Sequence, residues 1–321
     1  MLNSNKIILI ITVDVEEDDW GYDSEAPTVE NIKEIKKIQN IFDRYEIKPS
    51  YLVTFPVASC KFAVDELSEI ISKNKCEIGS HLHPWNTPPI VESPNVWNSM
   101  LKNLPYELQV KKLLKLTSQI ENSFEIKPRA FRAGRWAAGP ETFKALIACG
   151  YRVDSSVIPM TYLEESSSYE DAETEPYWLE KKSVNDQYDD ALIEIPVTVG
   201  FNRWPFNFWL RVHSRFQMNC LKPLHPIGIL HHTGLLRKCC LSPEISPAND
   251  MITLTKILIN HGKRILNLSF HSNSLMAGRN PFVRNKRELE EFYKTLDKYF
   301  EFLGSAVDLV PLTLSEVGRL F

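Results

Sequence analysis

The sequence predicts an α/β protein, built as a single distorted parallel (β/α) barrel of seven or eight strands that occupies residues 1–321. Short apolar runs rich in β-branched residues alternate with longer stretches of helical period along nearly the whole chain. A length of 321 residues lies within the range of one α/β barrel. No polar linker, repeat or shift in composition divides the chain, so we predict one domain.

Eight apolar runs have the length and composition of buried strands. In chain order they are Ile7–Asp14, Ser50–Phe55, Glu77–His81, Arg129–Arg132, Tyr151–Asp154, Leu192–Pro196, Ile265–His271 and Val307–Val310. Helices are predicted between them, because apolar residues there recur every three or four positions. These apolar stripes are Ile32, Ile35, Ile38, Ile41 and Phe42, then Leu113, Leu116 and Ile120, then Phe143, Leu146 and Ile147, and finally Leu289, Phe292, Leu296 and Phe300.

Three stretches interrupt the alternation. The segments His83–Pro105 and Ser155–Asp190 are predicted to be long loops, and Phe201–Pro247 is predicted to be irregular. Long loops inside a compact domain are usually functional or disordered.

The composition excludes several classes of protein. Apolar residues make up 43% and charged residues 24%, as in ordinary globular proteins, which excludes disordered and fibrous chains. The formal charge is -4 and no run of five like charges occurs, so we expect no electrostatic footprint for nucleic acid or an anionic membrane. A neutral or polar ligand fits this composition better.

The cysteines and the N-terminus predict a cytoplasmic protein. Six cysteines are scattered without CxxC spacing, and the first apolar run is too short to span a bilayer and lacks the marks of a signal peptide. We therefore expect reduced thiols and no transmembrane segment.

Five predicted strands end in residues that can carry chemistry. They are Asp14, His81, Arg132, Asp154 and His271. In a parallel barrel the active site lies at the carboxyl ends of the strands, so these side chains are predicted to meet in one cleft. Each also has a structural alternative, since an Asp after a strand commonly caps a turn and a single His is commonly a core residue.

The spacing of these motifs resembles the polysaccharide deacetylase (NodB homology) domain, carbohydrate esterase family four. The resemblance runs from Thr12 to about Phe302. The branch associated with exopolysaccharide and lipopolysaccharide biosynthesis has patterns that resemble two parts of this chain, the run His81–Pro89 and the run Phe270–Leu275 followed by Pro281–Arg284. The resemblance implies a (β/α) barrel, a divalent metal and hydrolysis of an N- or O-acetyl group on a sugar.

The resemblance also implies roles for individual residues. Asp14 matches the general base, and Arg132 matches the arginine that pairs with it. His271 matches the general acid, and Asp154 resembles the aspartate that holds this histidine. Each role suits its chemistry, because a guanidinium favours an ionised carboxylate and a carboxylate keeps an imidazole protonated.

The sequence departs from the family pattern at two expected metal ligands, where it has Val15 and Trp85. Glu16 and His83 are the predicted substitutes, joining His81, with Asp18 behind Glu16. Two histidines and one carboxylate suit Zn²⁺ in an open site, with Co²⁺, Ni²⁺ and Mn²⁺ as alternatives. In the contrary interpretation, His83 is only a loop residue and metal binding is weak or absent.

The predicted substrate is an acetylated sugar, a nucleotide-sugar or a lipid-linked saccharide. Trp85 and Trp136 are candidate platforms for a sugar ring, as is the run Trp204–Trp209, and Arg135 either supplements Arg132 or binds a substrate phosphate. His225, His231 and His232 match no motif. Two other functions remain open, a metal-independent amidase acting on a small amide or ureide and a catalytically inactive carbohydrate-binding barrel.

Overall fold

A computed structural model describes residues 6–19, 21, 27–163, 168–180, 191–216 and 226–321. A mostly parallel sheet curls into a distorted barrel, with strand order β10-β1-β2-β3-β4-β5-β7-β6 and with β11 parallel to the first half of β1. The strands are β1 (Lys6–Val15), β2 (Ser50–Val53), β3 (Glu77–Leu82), β4 (Ala130–Ala133), β5 (Val153–Asp154), β6 (Tyr177–Glu180), β7 (Leu192–Glu194), β8 (Val199–Phe201), β9 (Lys238–Cys240), β10 (Ile265–His271) and β11 (Asp308–Pro311).

Helices cover the outside of the sheet and one end of the barrel. They are α1 (Ile35–Arg44), α2 (Phe55–Ser59), α3 (Lys61–Ser72), α4 (Tyr106–Phe124), α5 (Pro140–Ala148), α6 (Phe206–Phe216), α7 (Pro226–His232), α8 (Ala248–Asn260), α9 (Lys286–Ala306) and α10 (Leu314–Gly318). Within the described residues, every helix is too short or too polar to cross a bilayer.

Strand alternation divides the core into two layers. Along β1, Ile7, Leu9 and Ile11 pack toward the surrounding helices, whereas Ile8 and Ile10 belong to the barrel interior. Leu314 and Val317 of α10 belong to the same interior cluster and fill its amino-terminal end. Successive side chains of a strand point to opposite faces, so Asp14 and Glu16 follow Ile8 and Ile10 toward the interior.

The same alternation explains the departure at position 15. Val15 is fully buried in the outer layer, against the helices, and cannot reach the interior. A metal ligand on this strand must therefore come from an even-numbered position, which is where Glu16 lies.

A short two-stranded sheet closes the barrel between β7 and β10. β8 pairs with β9 in antiparallel fashion, and the residues next to them bond to β10. Thr198 N donates to Asn267 O at 3.0 Å, and Ser269 N donates to Leu241 O at 2.9 Å. This closure brings the segment after β9 to the end of β10, beside His271.

The predicted (β/α) barrel is confirmed, and each of the eight predicted strands coincides with an observed strand. The prediction that Phe201–Pro247 is irregular is wrong, because this stretch contains α6, α7 and β9. Its apolar residues are distributed among a helix pair and a barrel-closing strand, so no single period dominates. The predicted loop Ser155–Asp190 contains β6, and residues 164–167 and 181–190 lie outside the described residues.

Candidate active site

The carboxylate of Asp14 is held by a guanidinium from across the barrel interior. Arg132 Nη1 donates to Asp14 Oδ1 at 2.7 Å, and both side chains are buried. Arg132 Nη2 donates to Thr12 Oγ1 at 2.8 Å and Nε donates to Ser155 O at 2.7 Å. Because its donors are all directed at fixed acceptors, the guanidinium holds Asp14 in one orientation.

Electrostatics keep Asp14 ionised. Burial opposes the charge, but Arg132, together with His81 and His271, outweighs it and holds the pKa of Asp14 below its usual value. Oδ2 of Asp14 lies 3.8 Å from His271 Nε2. An ionised carboxylate and an imidazole therefore face each other at the carboxyl end of β1 and β10.

His271 is held by Glu244, a residue that the sequence analysis did not identify. His271 Nδ1 lies 3.0 Å from Glu244 Oε2, and the backbone N of His271 donates to Glu244 Oε1 at 3.0 Å. Ser274 Oγ also donates to Glu244 Oε1. A carboxylate bonded to Nδ1 fixes the imidazole with its Nε2 toward Asp14.

Glu244 also determines the charge of His271. Burial disfavours the imidazolium, but the charge and hydrogen bond of Glu244, with Glu16 and Asp14 nearby, raise the pKa of His271 to about 10. The imidazole is therefore protonated at neutral pH and can donate a proton.

The expectation that Asp154 holds His271 is corrected by the structure. Asp154 is fully buried and accepts a hydrogen bond from Ser156 Oγ at 2.5 Å. The neighbouring Val153 belongs to the barrel interior, so Asp154 points to the opposite face of the sheet, away from the cleft. Of the five residues predicted to converge, the structure therefore brings four together, and Asp154 lies elsewhere.

The cross-strand partner of Asp154 is a second buried carboxyl, that of Glu194. The pair can be stable only if the two groups share a proton. Burial raises the pKa of Asp154 to about 6, and burial with the charge of Asp154 raises the pKa of Glu194 well above its usual value.

Glu16, His81 and His83 form a compact group of potential metal ligands. All three side chains are buried, and their ligand atoms lie within 4.8 Å of one another. Glu16 Oε2 lies 3.1 Å from His83 Nε2 and 3.6 Å from His81 Nε2. Ligands at zinc bond lengths in a tetrahedral site are about 3.3 Å apart. The donor atoms and their spacing therefore fit a divalent metal ion with an open coordination position.

Neighbouring groups orient these three side chains. His81 Nδ1 lies 3.1 Å from Arg132 O, which favours the tautomer whose Nε2 carries the lone pair. Asn273 Nδ2 donates to Glu16 Oε1 at 2.9 Å, leaving Oε2 toward the histidines. His83 lies against Gly134, where a Cβ atom would come within 2.5 Å of His83 Nδ1. A glycine at 134 is thus required for this position of the imidazole.

Asp18 does not take part in the group. Its carboxylate accepts hydrogen bonds from Thr28 Oγ1 and from the backbone N atoms of Glu30 and Asn31. These bonds tie it to the turn before α1, so Asp18 has a structural role.

A buried lysine anchors the loop that follows His83. Lys112 Nζ, from α4, donates to the carbonyls of Pro84, Thr87 and Pro89, each at 2.8 Å, and pairs with Glu92. The loop predicted from His83 to Pro105 is therefore fixed by a cation at its start, next to the candidate metal ligands.

Asp14, His81 and His271 line a cleft of about 610 Å³, and Arg132 lies buried behind Asp14. Trp85, Arg135 and Trp136 line it, as do the apolar side chains of Ile158 and Phe282. Arg135 and Trp136 both adopt the left-handed backbone conformation, with φ of 57° and 56°. Two successive non-glycine residues in this region are strained, and such strain concentrates at functional sites.

The remaining described aromatic and histidine candidates are not among the residues that line the cleft. Trp204 stacks on His261 with ring centroids 4.2 Å apart, and the described part of the cleft wall does not include the run Trp204–Trp209. His231 and His232 are exposed on α7, and His225 lies outside the described residues.

Sequence reasoning missed Glu244 and Asn273. Glu244 is the first carboxylate after Glu194, and a single acid at the end of a long acid-free stretch was a signal that could have identified it. Asn273 follows His271 by two residues, so it was within a recognised motif but had no assigned contact.

Comparison with solved structures supports the fold. No family model matches the chain, and no curated protein matches its sequence. A candidate polysaccharide deacetylase from Mycobacterium smegmatis is 14% identical, with a TM-score of 0.57 over 100% of this chain and 91% of that one. Puue allantoinase is 13% identical, with a TM-score of 0.55 over 99% of this chain and 91% of that one. A candidate glycoside hydrolase/deacetylase from Parabacteroides distasonis is 10% identical, with a TM-score of 0.60 over 99% of this chain and 71% of that one. The chain therefore shares the fold of these structures, a distorted (β/α) barrel.

Proposed function

We propose that this protein is a metal-dependent carbohydrate deacetylase that hydrolyses an N- or O-acetyl group on a sugar. The observation that carries the proposal is the placement of an ionised base, a protonated acid and a three-ligand group around one cleft. Asp14, His271 and the group Glu16, His81 and His83 all line it. Acetyl hydrolysis needs one group to activate water and another to protonate the leaving atom.

Asp14 is the proposed general base. Arg132 occupies Oδ1 and leaves Oδ2 toward His271 and the cleft. A carboxylate held in this way accepts a proton from the attacking water without reorienting.

His271 is the proposed general acid. Glu244 holds Nδ1, so the Nε2–H bond points toward Asp14 and the cleft. His271 donates this proton to the amine or alkoxide that leaves the acetyl group.

Glu16, His81 and His83 are the residues that would hold the metal. Zn²⁺ is the proposed ion, with Co²⁺, Ni²⁺ or Mn²⁺ as alternatives for the same two nitrogens and one oxygen. A bound divalent ion would polarise the acetyl carbonyl and lower the pKa of water.

The proposed substrate is an acetylated amino sugar in a nucleotide-linked or lipid-linked precursor of a surface polysaccharide. Trp85 and Trp136 offer flat surfaces to a sugar ring, and Arg135 offers a cation to a phosphate. A place among exopolysaccharide or lipopolysaccharide biosynthesis enzymes and a cytoplasmic location are part of the same proposal. The five described cysteines are all free, which is consistent with a reducing compartment.

We also propose that residues 1–321 form a single barrel domain. The pairing of β1 with both β10 and β11 supports it, because strands near the two ends of the chain are neighbours in one sheet.

A metal-independent amidase acting on a small amide or ureide is the second candidate. Arg132 holds the base Asp14, and Glu244 holds the acid His271. Neither contact involves Glu16, His81 or His83. A catalytically inactive carbohydrate-binding barrel is the third candidate.

One experiment distinguishes the three candidates. Purified protein is analysed for metal and then screened for acetate release from acetylated nucleotide sugars and for hydrolysis of small amides and ureides, before and after chelation. Stoichiometric metal with chelator-sensitive acetate release supports the deacetylase. Chelator-resistant amide hydrolysis supports the amidase, and sugar binding without turnover supports the inactive barrel.

A further inference from the structure

The whole-chain charge hides a strongly asymmetric distribution. Between Ile195 and Pro243 there is no Asp or Glu, although the chain has 41 of them, and the same stretch has six Lys and Arg. This stretch builds α6, α7 and β9, so one lobe of the protein carries positive charge without compensating acids of its own. The composition of the whole chain could not reveal this feature.

One face of α6 combines aromatic rings with guanidinium groups. Trp204, Phe208, Arg211 and Arg215 are spaced by four, three and four residues, which places them along one side of the helix and the turn before it. All four are exposed, and Trp204 and Phe208 are 40% and 54% exposed. The interior position Phe206 is buried, so this stripe is the outward face.

Aliphatic side chains from α7 and the turn after it extend the same surface. Ile229 and Leu235 are 57% and 53% exposed. Arg203 Nε donates to Leu235 O at 2.6 Å and its guanidinium lies 5.7 Å from the centre of the Trp209 ring. These contacts join the two elements, so the exposed residues form one patch. We call it the α6–α7 surface, consisting of Trp204, Phe208, Arg211, Arg215, Ile229 and Leu235.

Among the described residues, no carboxylate neutralises the two exposed cations of this surface. Arg237 pairs with Asp250 at 2.9 Å, whereas Arg211 and Arg215 are exposed and form no ion pair with a described carboxylate. Large apolar side chains beside unneutralised guanidiniums are the composition of a helix that lies in a membrane interface.

The surface is also joined to the wall of the cleft. Lys238, the first residue of β9, donates to Met160 O and Thr161 Oγ1, each at 2.7 Å. Tyr162, which follows Thr161, and Cys240, the last residue of β9, line the cleft. β9 therefore connects the α6–α7 surface with residues that line the cleft.

We propose that the α6–α7 surface docks the protein on an anionic lipid membrane. Its positive charge complements acidic headgroups, while Phe208, Ile229 and Leu235 can enter the headgroup–acyl boundary. Exposed aliphatic side chains provide no contact to a phosphate or a nucleobase edge, which favours a lipid surface over a nucleic acid. The proposal does not depend on the catalytic activity.

Vesicle binding tests the proposal directly. The full-length protein is sedimented with phosphatidylcholine vesicles that contain or lack phosphatidylglycerol, at low and high salt. We expect it to bind the anionic vesicles at low salt and to be released by high salt, because screening weakens the attraction to the headgroups. Binding should lower the exposure of tryptophan to an aqueous quencher.

Two variants and two matched controls locate the binding surface. Phe208→Ser and the double variant Arg211→Glu with Arg215→Glu should each lower the partition coefficient, the latter by about tenfold or more. Val91→Ser removes an exposed apolar side chain elsewhere, and Arg287→Glu reverses an exposed charge on α9, so both should bind as the unmodified protein does.

Three results would overturn the proposal. They are the absence of binding to anionic vesicles at low salt, equal loss of binding in the control variants, and a dimer in solution that dissociates in the Phe208→Ser variant. The last result would assign the surface to a second copy of the chain. Acetate release, measured on a soluble substrate, is expected to be unchanged in all four variants, so failure of this proposal is separable from failure of the proposed function.

Discussion

Glu244 Oε2 lies 3.0 Å from His271 Nδ1, and this contact joins the loop after β9 to the end of β10. The loop after β9 delivers the carboxylate to the end of β10. The contact determines both the direction of Nε2 and the protonation of the imidazole, so it is the relationship on which the proposed general acid depends.

Replacing Glu244 by Gln should shift the pH dependence of the reaction. Glu244 raises the pKa of His271 to about 10, so without its charge the imidazolium loses its proton at lower pH. We expect the alkaline limb of the kcat/KM profile to move to lower pH and kcat to fall by about 10²-fold. The matched variant Asp154→Asn should leave that limb in place, since Asp154 is not in contact with His271. A shift in Asp154→Asn, or none in Glu244→Gln, would contradict the assignment.

Removing the imidazole should abolish most of the turnover without loss of metal. His271→Ala lacks the proposed acid, and loss of one general acid typically lowers the rate by about 10²- to 10⁴-fold. Steady-state kinetics and metal analysis of the same preparation measure the two quantities. An unchanged rate would mean that another group protonates the leaving atom.

The His83→Gln variant should lose metal affinity and activity together. His83 Nε2 lies 3.1 Å from Glu16 Oε2 and is one of the three candidate ligands. Zinc content after dialysis and acetate release should fall in parallel, whereas exposed His231→Gln should retain both. Full zinc content in His83→Gln would refute the hypothesis that His83 replaces the ligand expected at position 85, and it would favour the amidase.

A Cβ atom at position 134 should displace the same imidazole. It would lie 2.5 Å from His83 Nδ1 and 2.9 Å from Leu82 O, so Gly134→Ala must move His83 or the end of β3. We expect weaker metal binding with the ligands themselves unchanged. Gly304→Ala is the control, because its Cβ meets no atom within 4 Å. Equal metal affinity in both variants would contradict the prediction that the position of His83 determines metal binding.

Glu194→Gln should stabilise the protein at alkaline pH. The folded pair binds a proton more tightly than the unfolded chain, because the pKa values of Asp154 and Glu194 are both raised. The stabilisation that this proton gives the folded protein is fully present below the pKa values of the two carboxyls in the unfolded chain. It is lost as the pH rises through their pKa values in the folded protein. A glutamine amide can donate to Asp154 without that proton. We expect a melting temperature about 2 to 4 °C above that of the unmodified protein at pH 8 and little difference at pH 4. The reverse trend would show that the carboxyls do not share a proton.

The sequence by itself determined the barrel and the residues at its strand ends. Strands and helices are encoded by periods of two and 3.6 residues, which depend on neighbours in the chain, and all eight predicted strands were found. Because parallel strands carry their functional residues at one end, the sequence predicted the convergence of Asp14, His81, Arg132 and His271, although the same argument wrongly included Asp154. The choice of Glu16 over Val15 also follows from period two, since only the former shares a face with Asp14.

Only the tertiary structure decided which carboxylate holds His271 and where the positive lobe lies. Asp154 and Glu244 are both carboxylates near strand ends. Asp154 points to the face of the sheet opposite the cleft, whereas the closure of the barrel by β8 and β9 brings Glu244 to His271. Neither relationship is local in sequence. The orientation of a two-residue strand and the closure of a barrel depend on contacts between segments far apart in the chain, and no periodic pattern of residues records those contacts.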